Sequence, residues 1–161
     1  MKTILDKKQI DSAIKRLVGE ISSDYPSGDF VLVGMRSRGE IIADRMIAEL
    51  NDKFDNEIPC GTLDITLYRD DINDPQGDEQ MVVRATEITF DVTDKVVILV
   101  DDVLHTGRSV RAAMDALIDL GRPKVIRLEV LVERGGREFA IQADYIANKV
   151  DICEEGSVQV L

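Results

Sequence analysis

The sequence predicts an α/β domain with a mostly parallel central sheet flanked by helices, and three observations support this prediction. Short apolar segments with strand character alternate along the chain with amphipathic segments of helical periodicity. The core has to be built from aliphatic side chains, because Trp is absent and aromatic residues make up 4% of the chain. The 161 residues suffice for one core, so we expect a single domain over residues 1–161.

The first half of the chain begins with a helix and continues as a strand–loop–helix unit. Residues 7–23 place apolar side chains at helical spacing. Residues 30–34, "FVLVG", predict a short buried strand, and residues 40–54, "EIIADRMIAELNDKF", predict a helix with one apolar face. The segment "RSRG", residues 36–39, therefore lies at the carboxyl end of a strand. Residues 60–68, "CGTLDITLY", alternate as a strand does.

The second half starts with a long polar run and then alternates strand and helix again. Residues 69–80 are polar with Pro and Gly, which is typical of a functional or disordered loop. Residues 81–90 return to strand character, and residues 95–100, "KVVILV", form the most apolar strand, which we place at the centre of the sheet. Residues 109–121 predict a helix ended by Gly, and residues 124–133 predict another strand.

Charge and cysteine content narrow the class of protein. A net charge of −11 argues against nonspecific nucleic-acid binding, which depends on cationic contacts to phosphates. Cys60 and Cys153 lie far apart and favour two reduced thiols in a cytoplasmic protein. The segment "MKTILDKKQI" lacks the apolar core of a signal peptide, and no segment has the ~18 apolar residues of a membrane span.

Residues 96–109, "VVILVDDVLHTGRS", combine two kinds of binding group at one strand end. Asp101 and Asp102 stand where the strand "KVVILV" should finish, and ligands of open α/β sheets bind at that end. The turn that follows contains Thr106, Gly107 and Ser109 and leads into a helix N-terminus, which favours anions. Hydrogen-bond acceptors beside a phosphate-binding turn fit a ribose phosphate, which has hydroxyls at one end and a phosphate at the other.

The segment 96–109 has alternative interpretations. The chain has no GxxxxGK[ST] motif and no GxGxxG motif after a strand, which argues against a P-loop and against the usual dinucleotide fold. An acidic pair can bind Mg²⁺ by itself, although that would leave the TGRS turn unexplained. A solvated loop with chance acidic residues is the remaining structural alternative.

The segment 96–109 resembles the phosphoribosyl-pyrophosphate (PRPP) signature of type I phosphoribosyltransferases. The segments "LVGMRSRGEIIADRM", "GTLDITLYRDDI", "TGRSVRAAMDALIDLGRP" and "VLVERGGREFAIQADYIANK" are similar to the PyrR family, and the similarity covers about residues 7–150. Members of that family are uracil phosphoribosyltransferases that, in many bacteria, also bind pyrimidine-operon mRNA and attenuate its transcription. The resemblance implies the type I phosphoribosyltransferase fold with a small C-terminal hood at about 134–161. It also implies a role in pyrimidine salvage, in which uracil and PRPP give UMP and pyrophosphate.

The resemblance also implies the roles of individual residues. Asp101 and Asp102 would hold the 2′ and 3′ hydroxyls of the ribose, and the turn 106–109 would hold its 5′-phosphate. Arg36 and Arg38 would neutralise the leaving pyrophosphate, unless they are solvated arginines on a turn. Mg²⁺ would bridge PRPP oxygens and reach Asp101 and Asp102 indirectly, through PRPP and water. The PRPP site implied in this way comprises Arg36, Ser37, Arg38, Gly39, Val97, Ile98, Leu99, Val100, Asp101, Asp102, Val103, Leu104, His105, Thr106, Gly107, Arg108 and Ser109.

A lid and a hood would complete the site. Residues 68–82 would form a flexible lid that excludes water, with Tyr68 and Arg69 reaching the substrate and Arg84 as a weaker candidate; a merely disordered loop is the alternative. Arg69 joins Asp101, Asp102 and Arg38 as an implied catalytic residue. The base-binding residues would be His105, Arg134 and the backbone around Ile146.

His105, the one histidine of the chain, departs from the family pattern. Its position is usually occupied by Tyr or Phe in the family, and purine-using relatives carry an acid there. A histidine can stack on uracil or donate a hydrogen bond to it. The alternative is that the ring only packs as the aromatic ring would.

The residues expected to contact RNA also depart from the family pattern. The chain has Gly19 and Gly136 where histidines are common, Gln142 where an arginine is common, and a lysine shifted to Lys149. With a net charge of −11, this predicts weak or absent binding of attenuator RNA. A nucleotide-sensing RNA-binding regulator with vestigial catalysis is therefore the second hypothesis, and a purine transferase the third. The family usually forms homodimers or larger assemblies.

Overall fold

The computed structural model describes residues 3–70, 85–151 and 156–160. Their helices and strands alternate as the sequence predicts, and five strands form one sheet. The helices are α1 (Lys7–Asp24), α2 (Arg38–Lys53) and α3 (Arg108–Leu120), with a 3₁₀ turn at Thr66–Tyr68; the strands are β1 (Val31–Met35), β2 (Cys60–Leu63), β3 (Val96–Leu104), β4 (Val125–Arg134) and β5 (Tyr145–Val150). Within these described residues no helix is long and apolar enough to cross a membrane.

The five strands are all parallel and lie in the order β2-β1-β3-β4-β5. The chain adds β2 on one side of β1 and then crosses to add β3 on the other side. The direction of winding therefore reverses between β1 and β3. Parallel sheets bind ligands in the crevice that such a reversal opens at the carboxyl ends of the strands.

Aliphatic side chains cover both faces of the sheet, as the strand composition predicts. One face packs against α1 and α2 through residues such as Leu17 and Met46, which are fully buried. The other face packs against α3 through small side chains such as Ala113 and Ala116. The middle of β3, from Val97 to Val100, is inaccessible to solvent, so the prediction of a central strand here is confirmed.

Two predicted strands are shorter in the structure. The strand predicted over 60–68 ends at Leu63, and the 3₁₀ turn follows. Asp64 produces this change, because its carboxylate accepts hydrogen bonds from the backbone N–H and the hydroxyl of Thr66. Of the strand predicted over 81–90, the described part keeps a single antiparallel bridge, between Glu87 and Thr62. Most of the predicted lid, residues 71–82, lies outside the described residues.

Candidate active site

The crevice between the carboxyl ends of β1 and β3 is narrow because α2 starts directly against β3. A Cβ atom on Gly39 would lie 2.3 Å from the carbonyl oxygen of Val100 and 3.2 Å from the Cα of Asp101. Only glycine fits this contact, which explains the last residue of the RSRG segment. The loop after β1 and the acidic end of β3 are thereby held side by side, as the sequence predicted.

Asp101 and Asp102 lie inside β3 rather than after it. The Asp101 carboxylate accepts a hydrogen bond from the backbone N–H of Asp102 at 2.9 Å, and the Asp102 carboxylate accepts one from the N–H of Val103 at 2.8 Å. Burial, together with the adjacent negative charge of Asp102, raises the pKa of Asp101 well above its usual range. A hydroxyl donor or a positive centre placed at Asp101 and Asp102 would offset the repulsion between their carboxylates.

Glu129 adds a third carboxyl group that the sequence analysis did not single out. It lies on β4 and is completely buried, and its carboxyl oxygens have no hydrogen-bond partner among the described residues. Burial and the nearby charge of Asp101 raise the pKa of Glu129 well above its usual range, which favours the neutral form of this carboxyl group. Glutamate in a strand normally suggests an outward face. Helices cover both faces here, so the periodicity alone did not reveal the burial.

The two arginines of the RSRG segment have different surroundings. The guanidinium of Arg38 is 49% exposed and lies 4.0 Å from a carboxylate oxygen of Asp102. The Arg36 side chain is only 17% exposed and points away, toward Glu40 and β2. The structure therefore brings Arg38, and not Arg36, to the acidic pair. The predicted role of Arg36 at the leaving pyrophosphate stays a prediction.

The turn after β3 presents backbone donors at the start of α3. Gly107 is the N-cap residue, has φ +89°, and leaves the first turn of α3 without a side-chain cap from its own position. The hydroxyl of Thr106 accepts a hydrogen bond from the N–H of Arg108. The Arg108 guanidinium itself pairs with Asp70 and Glu138, so the N–H groups and hydroxyls are the groups of this turn that are suited to bind an anion.

His105 lies against the loop that follows β4. Its Nε2 atom is 2.8 Å from the place that a Cβ on Gly136 would occupy, so the glycine makes room for the ring. The guanidinium of Arg137 donates to the carbonyl of His105, and the N–H groups of Glu138 and Phe139 donate to the carbonyl of Thr106 at 2.9 and 3.0 Å. This loop is therefore fastened directly to the anion-binding turn.

The electrostatic surroundings keep the His105 ring neutral. Burial, and the positive charges of Arg134 and Arg137, lower the pKa of His105 from its usual value, while the charge of Glu138 opposes them. A neutral imidazole offers one donor and one acceptor nitrogen, the polar groups that a planar base can pair with. His105 thus has suitable chemistry at the crevice.

The other predicted base-binding residues are engaged elsewhere. Arg134 is 7% exposed, and its guanidinium donates to the carbonyl of Gly156. The carbonyl of Ile146, on β5, accepts from the guanidinium of Arg16 at 3.2 Å. Their direct contact with a base stays a prediction, and the structure shows both in supporting roles at the edge of the sheet.

At the start of the predicted lid, the structure describes residues 68–70. The Tyr68 hydroxyl donates to Asp119 on α3 at 2.6 Å, and the Tyr68 carbonyl accepts from Arg111. Arg69 follows the 3₁₀ turn and is exposed. Arg84 lies outside the described residues. The first residues of the predicted lid therefore follow the 3₁₀ turn and contact α3, with Asp70 paired with Arg108. The contact of Arg69 with a substrate stays a prediction.

Comparison with known families agrees with this arrangement. A family model described as a phosphoribosyl transferase domain matches residues 1–159. The "Bifunctional protein PyrR" of Pelotomaculum thermopropionicum is 48% identical over 158 residues, which cover 98% of this chain and 86% of that protein. The protein of the same name from Bacillus velezensis is 44% identical, with 98% of this chain and 87% of that protein covered.

Solved structures share the fold at much lower sequence identity. A hypoxanthine phosphoribosyltransferase from Staphylococcus aureus superposes with a TM-score of 0.73 at 18% identity, covering 93% of this chain and 77% of that one. A purine phosphoribosyltransferase from Pyrococcus horikoshii Ot3 superposes with a TM-score of 0.64 at 23% identity, covering 98% and 95% of the two chains. These likenesses establish the phosphoribosyltransferase fold and leave the base undetermined.

Proposed function

Since the chain belongs to the PyrR family of phosphoribosyltransferases, we propose that it transfers the ribose phosphate of PRPP to uracil, giving UMP and pyrophosphate. One observation supports the proposal most. The acidic pair Asp101–Asp102 lies at the crevice between β1 and β3, near the half-exposed guanidinium of Arg38, and is followed by the turn at the start of α3, whose N-cap residue Gly107 has no capping side chain. This arrangement has acceptors for a diol and donors for two phosphate groups.

In this proposal each end of PRPP has its own partner. The N–H groups and hydroxyls of the turn 106–109 hold the 5′-phosphate at the N-terminus of α3. The carboxylates of Asp101 and Asp102 accept the 2′ and 3′ hydroxyls of the ribose. Arg38 receives the leaving pyrophosphate, since its guanidinium is half exposed and only weakly engaged by Asp102 at 4.0 Å. Arg69 would add a second cation from the lid.

The reaction separates charge, and the acidic pair is placed to stabilise the positive part. Breaking the bond from the anomeric carbon to pyrophosphate leaves positive charge on the ribose before the uracil nitrogen bonds to that carbon. Burial, and then the charge of Asp102, disfavour a negative charge on Asp101 and raise its pKa. A positive ribose beside Asp101 and Asp102 attracts both carboxylates and offsets their mutual repulsion. The pair therefore stabilises the transition state more than the ground state.

Mg²⁺ is the cofactor that the family implies. Among the described residues no group of three or more ligating side chains forms a metal cage. Two neighbouring carboxylates fit the partial ligand set that Mg²⁺ takes when substrate oxygens and water complete its coordination. Asp101 and Asp102 would hold the ion in that indirect way, and its chemistry would be to neutralise pyrophosphate oxygens.

The base would lie over the loop that carries Gly136, next to His105. The neutral ring of His105 can stack on uracil or exchange a hydrogen bond with it. Arg134 and Arg137 hold this loop and the C-terminal segment from behind. We propose His105 as the side chain that contacts the base.

RNA binding is the alternative function, and the structure gives a reason to propose that it is weak. Three of the cations near α1 and β5 are paired with an acidic group. Arg16 binds Glu20 at 2.6 Å, Arg127 lies 3.5 Å from Asp144, and Lys149 lies 3.3 Å from Glu133. A paired cation must give up its partner before it can bind a phosphate, which reduces the electrostatic gain.

A UMP-forming assay on the Asp101→Asn variant tests the enzymatic proposal against a regulator with vestigial catalysis. The wild-type chain should form UMP from uracil and PRPP, and the variant should lose roughly 100-fold or more in kcat, as expected for a group that stabilises transition-state charge. Its thermal midpoint should not fall, because the neutral amide avoids both the burial of a charge and the repulsion from Asp102 that raise the pKa of Asp101.

Asp11→Asn is the matched control, since Asp11 lies on α1 and pairs only with the exposed Arg45 among its described ionic contacts. It should keep the wild-type rate. A wild-type chain that forms no UMP, or an Asp101→Asn variant with the wild-type rate, would contradict the proposal. The homodimer that the family implies is a separate prediction, to be checked by light scattering in solution.

A further inference from the structure

Arg36 makes an unusual number of contacts for a loop arginine. Its Nε donates to the carbonyl of Ala85 at 2.8 Å, one Nη donates to Glu40 at 2.9 Å, and the other donates to Thr62 at 3.2 Å. The carboxylate of Glu87 lies 3.7 Å from that second Nη. A single guanidinium thus joins three separate parts of the chain: α2, β2 and the segment 85–87.

The same region is tied together by backbone hydrogen bonds. Thr62 and Glu87 exchange N–H to carbonyl bonds at 3.0 and 2.8 Å, and the N–H of Arg36 donates to the carbonyl of Leu63 at 2.9 Å. Segment 85–87 and the RSRG loop therefore share β2 as a common support. Arg36 adds the side-chain link between them, from a position that is only 17% exposed.

This link fixes the start of the short segment 36–39, in which Arg38 is the first residue of α2. The other end is fixed where Gly39 packs against the backbone of Val100 and Asp101. Arg38 lies between these two fixed points, with its guanidinium directed to Asp102. The orientation of Arg38 therefore depends on both contacts, although Arg36 itself does not face the crevice.

We propose that Arg36 is a positioning residue, which holds Arg38 at the pyrophosphate end of the crevice by bracing the RSRG loop against β2 and segment 85–87. The inference deepens the proposed function and rests on it. Without the brace the loop samples other conformations, and the binding-competent one is only partly populated. The apparent affinity for PRPP then falls by that fraction.

Arginine is required here because its planar group donates in several fixed directions. Lysine has one ammonium centre and cannot reach Ala85, Glu40 and Thr62 together. Arg36→Lys should consequently recover part of the loss that Arg36→Gln causes. Arg36→Gln keeps a polar side chain and removes the fork and the charge.

A double-mutant cycle on the full chain tests the proposal. We would measure the dissociation constant of PRPP by calorimetry for wild type, Arg36→Gln, Arg38→Gln and the double variant. Each single change should weaken binding roughly tenfold, which corresponds to about 1.4 kcal/mol. The double variant should be no more than about twofold weaker than Arg38→Gln, since Arg36 acts through Arg38. Losses that multiply to roughly 100-fold would overturn the inference, as would an Arg36→Gln variant with wild-type affinity.

Hydrogen exchange gives a second readout that separates positioning from simple destabilisation. The amides of Thr62 and Glu87 should exchange faster in Arg36→Gln and at the wild-type rate in Arg38→Gln. If Arg36→Gln does not fold, Thr62→Val removes one contact of the brace and should weaken PRPP binding about threefold, the loss expected for one hydrogen bond.

Unchanged amide exchange in Arg36→Gln, or an unchanged PRPP affinity in Thr62→Val, would contradict the brace. The proposed function fails differently. In that case the wild-type chain would bind no PRPP or form no UMP, whatever the exchange of Thr62 and Glu87 shows.

Discussion

The crevice between β1 and β3 and the groove between α1 and β5 contain similar charged residues, but these residues have different partners in the two regions. The groove, of about 640 Å³, is lined by Arg16, Glu20, Asp24 and Asp144 among others. Arg16 there pairs with Glu20 and also donates to β5 carbonyls, and the Tyr145 hydroxyl donates to Asp24 at 2.7 Å. In the crevice, Arg38 is half exposed and lies 4.0 Å from its nearest acid. The charged groups of the groove are therefore bound to other groups of the chain, while the guanidinium of Arg38 in the crevice stays available for a ligand.

The crevice and the groove also differ in how closely their backbones pack. The crevice needs close approach of backbones, so that α2, β3 and the acidic pair come together without intervening side chains. The groove lies over an ordinary helix surface, where a Cβ added to Gly19 meets nothing within 4 Å. Glycine is therefore required at position 39, whereas at position 19 it lowers the stability of the helix without being needed for packing.

Substituting these two glycines should give the largest contrast. Gly39→Ala places a methyl group 2.3 Å from the Val100 carbonyl and should reduce the free energy of unfolding by about 3 kcal/mol, lowering the thermal midpoint by roughly 6–12 °C. Gly19→Ala in the middle of α1 should increase the free energy of unfolding by about 0.5–1 kcal/mol. Chemical denaturation of both variants measures the difference. Equal effects in the two variants would remove the structural distinction between the regions.

The next largest effect concerns RNA, which we expect to bind weakly at the groove. A filter-binding titration with a pyrimidine-leader stem-loop at low salt should give a dissociation constant above about 10 μM, since nonspecific contacts alone reach roughly 100 μM to 1 μM. Glu20→Gln removes the acidic partner of Arg16 and one negative charge of the groove, and should tighten binding by about two- to threefold. A submicromolar constant for the wild-type chain would show that the paired cations are available after all.

Replacing His105 should have the smallest effect, and its pH dependence carries the information. The lowered pKa leaves the ring neutral at pH 7, so kcat/KM for uracil in the wild type should fall only on the acidic side of its usual titration range, as the ring gains a proton. His105→Phe should lack this acidic decline and lose about three- to tenfold at neutral pH, the value of one hydrogen bond. Rates from pH 5 to 8 measure it, and superimposable profiles would mean that the ring only packs.

Much of the fold follows from local patterns in the sequence. Residues 95–100 are so uniformly apolar that a central parallel strand is the favoured location, and the periodicity of residues 109–121 gives α3 almost to the residue. Both features depend on local composition, so they can be predicted without knowing which other elements of the chain pack against them. The acidic pair and the phosphate turn were predicted for the same reason, because they are contiguous.

Features that depend on distant contacts could not be predicted. The strand starting at Cys60 ends at Leu63 because the side chain of Asp64 captures the backbone of Thr66. Arg36 and Arg38 look equivalent in the sequence, and only the three-dimensional position of Ala85 and Thr62 separates them. Glu129 looks like an exposed strand residue until β3, β5 and the covering helices enclose it.

The most direct test of the central claim is a panel of bases offered with PRPP to the purified wild-type chain. Uracil, hypoxanthine, guanine and orotate would be supplied at equal concentration, and each nucleotide product would be quantified. We predict that UMP forms and that the other bases react at least about 100-fold more slowly, since a site built for one set of hydrogen bonds rejects others strongly. Preferred formation of a purine nucleotide, or no nucleotide at all, would contradict the account.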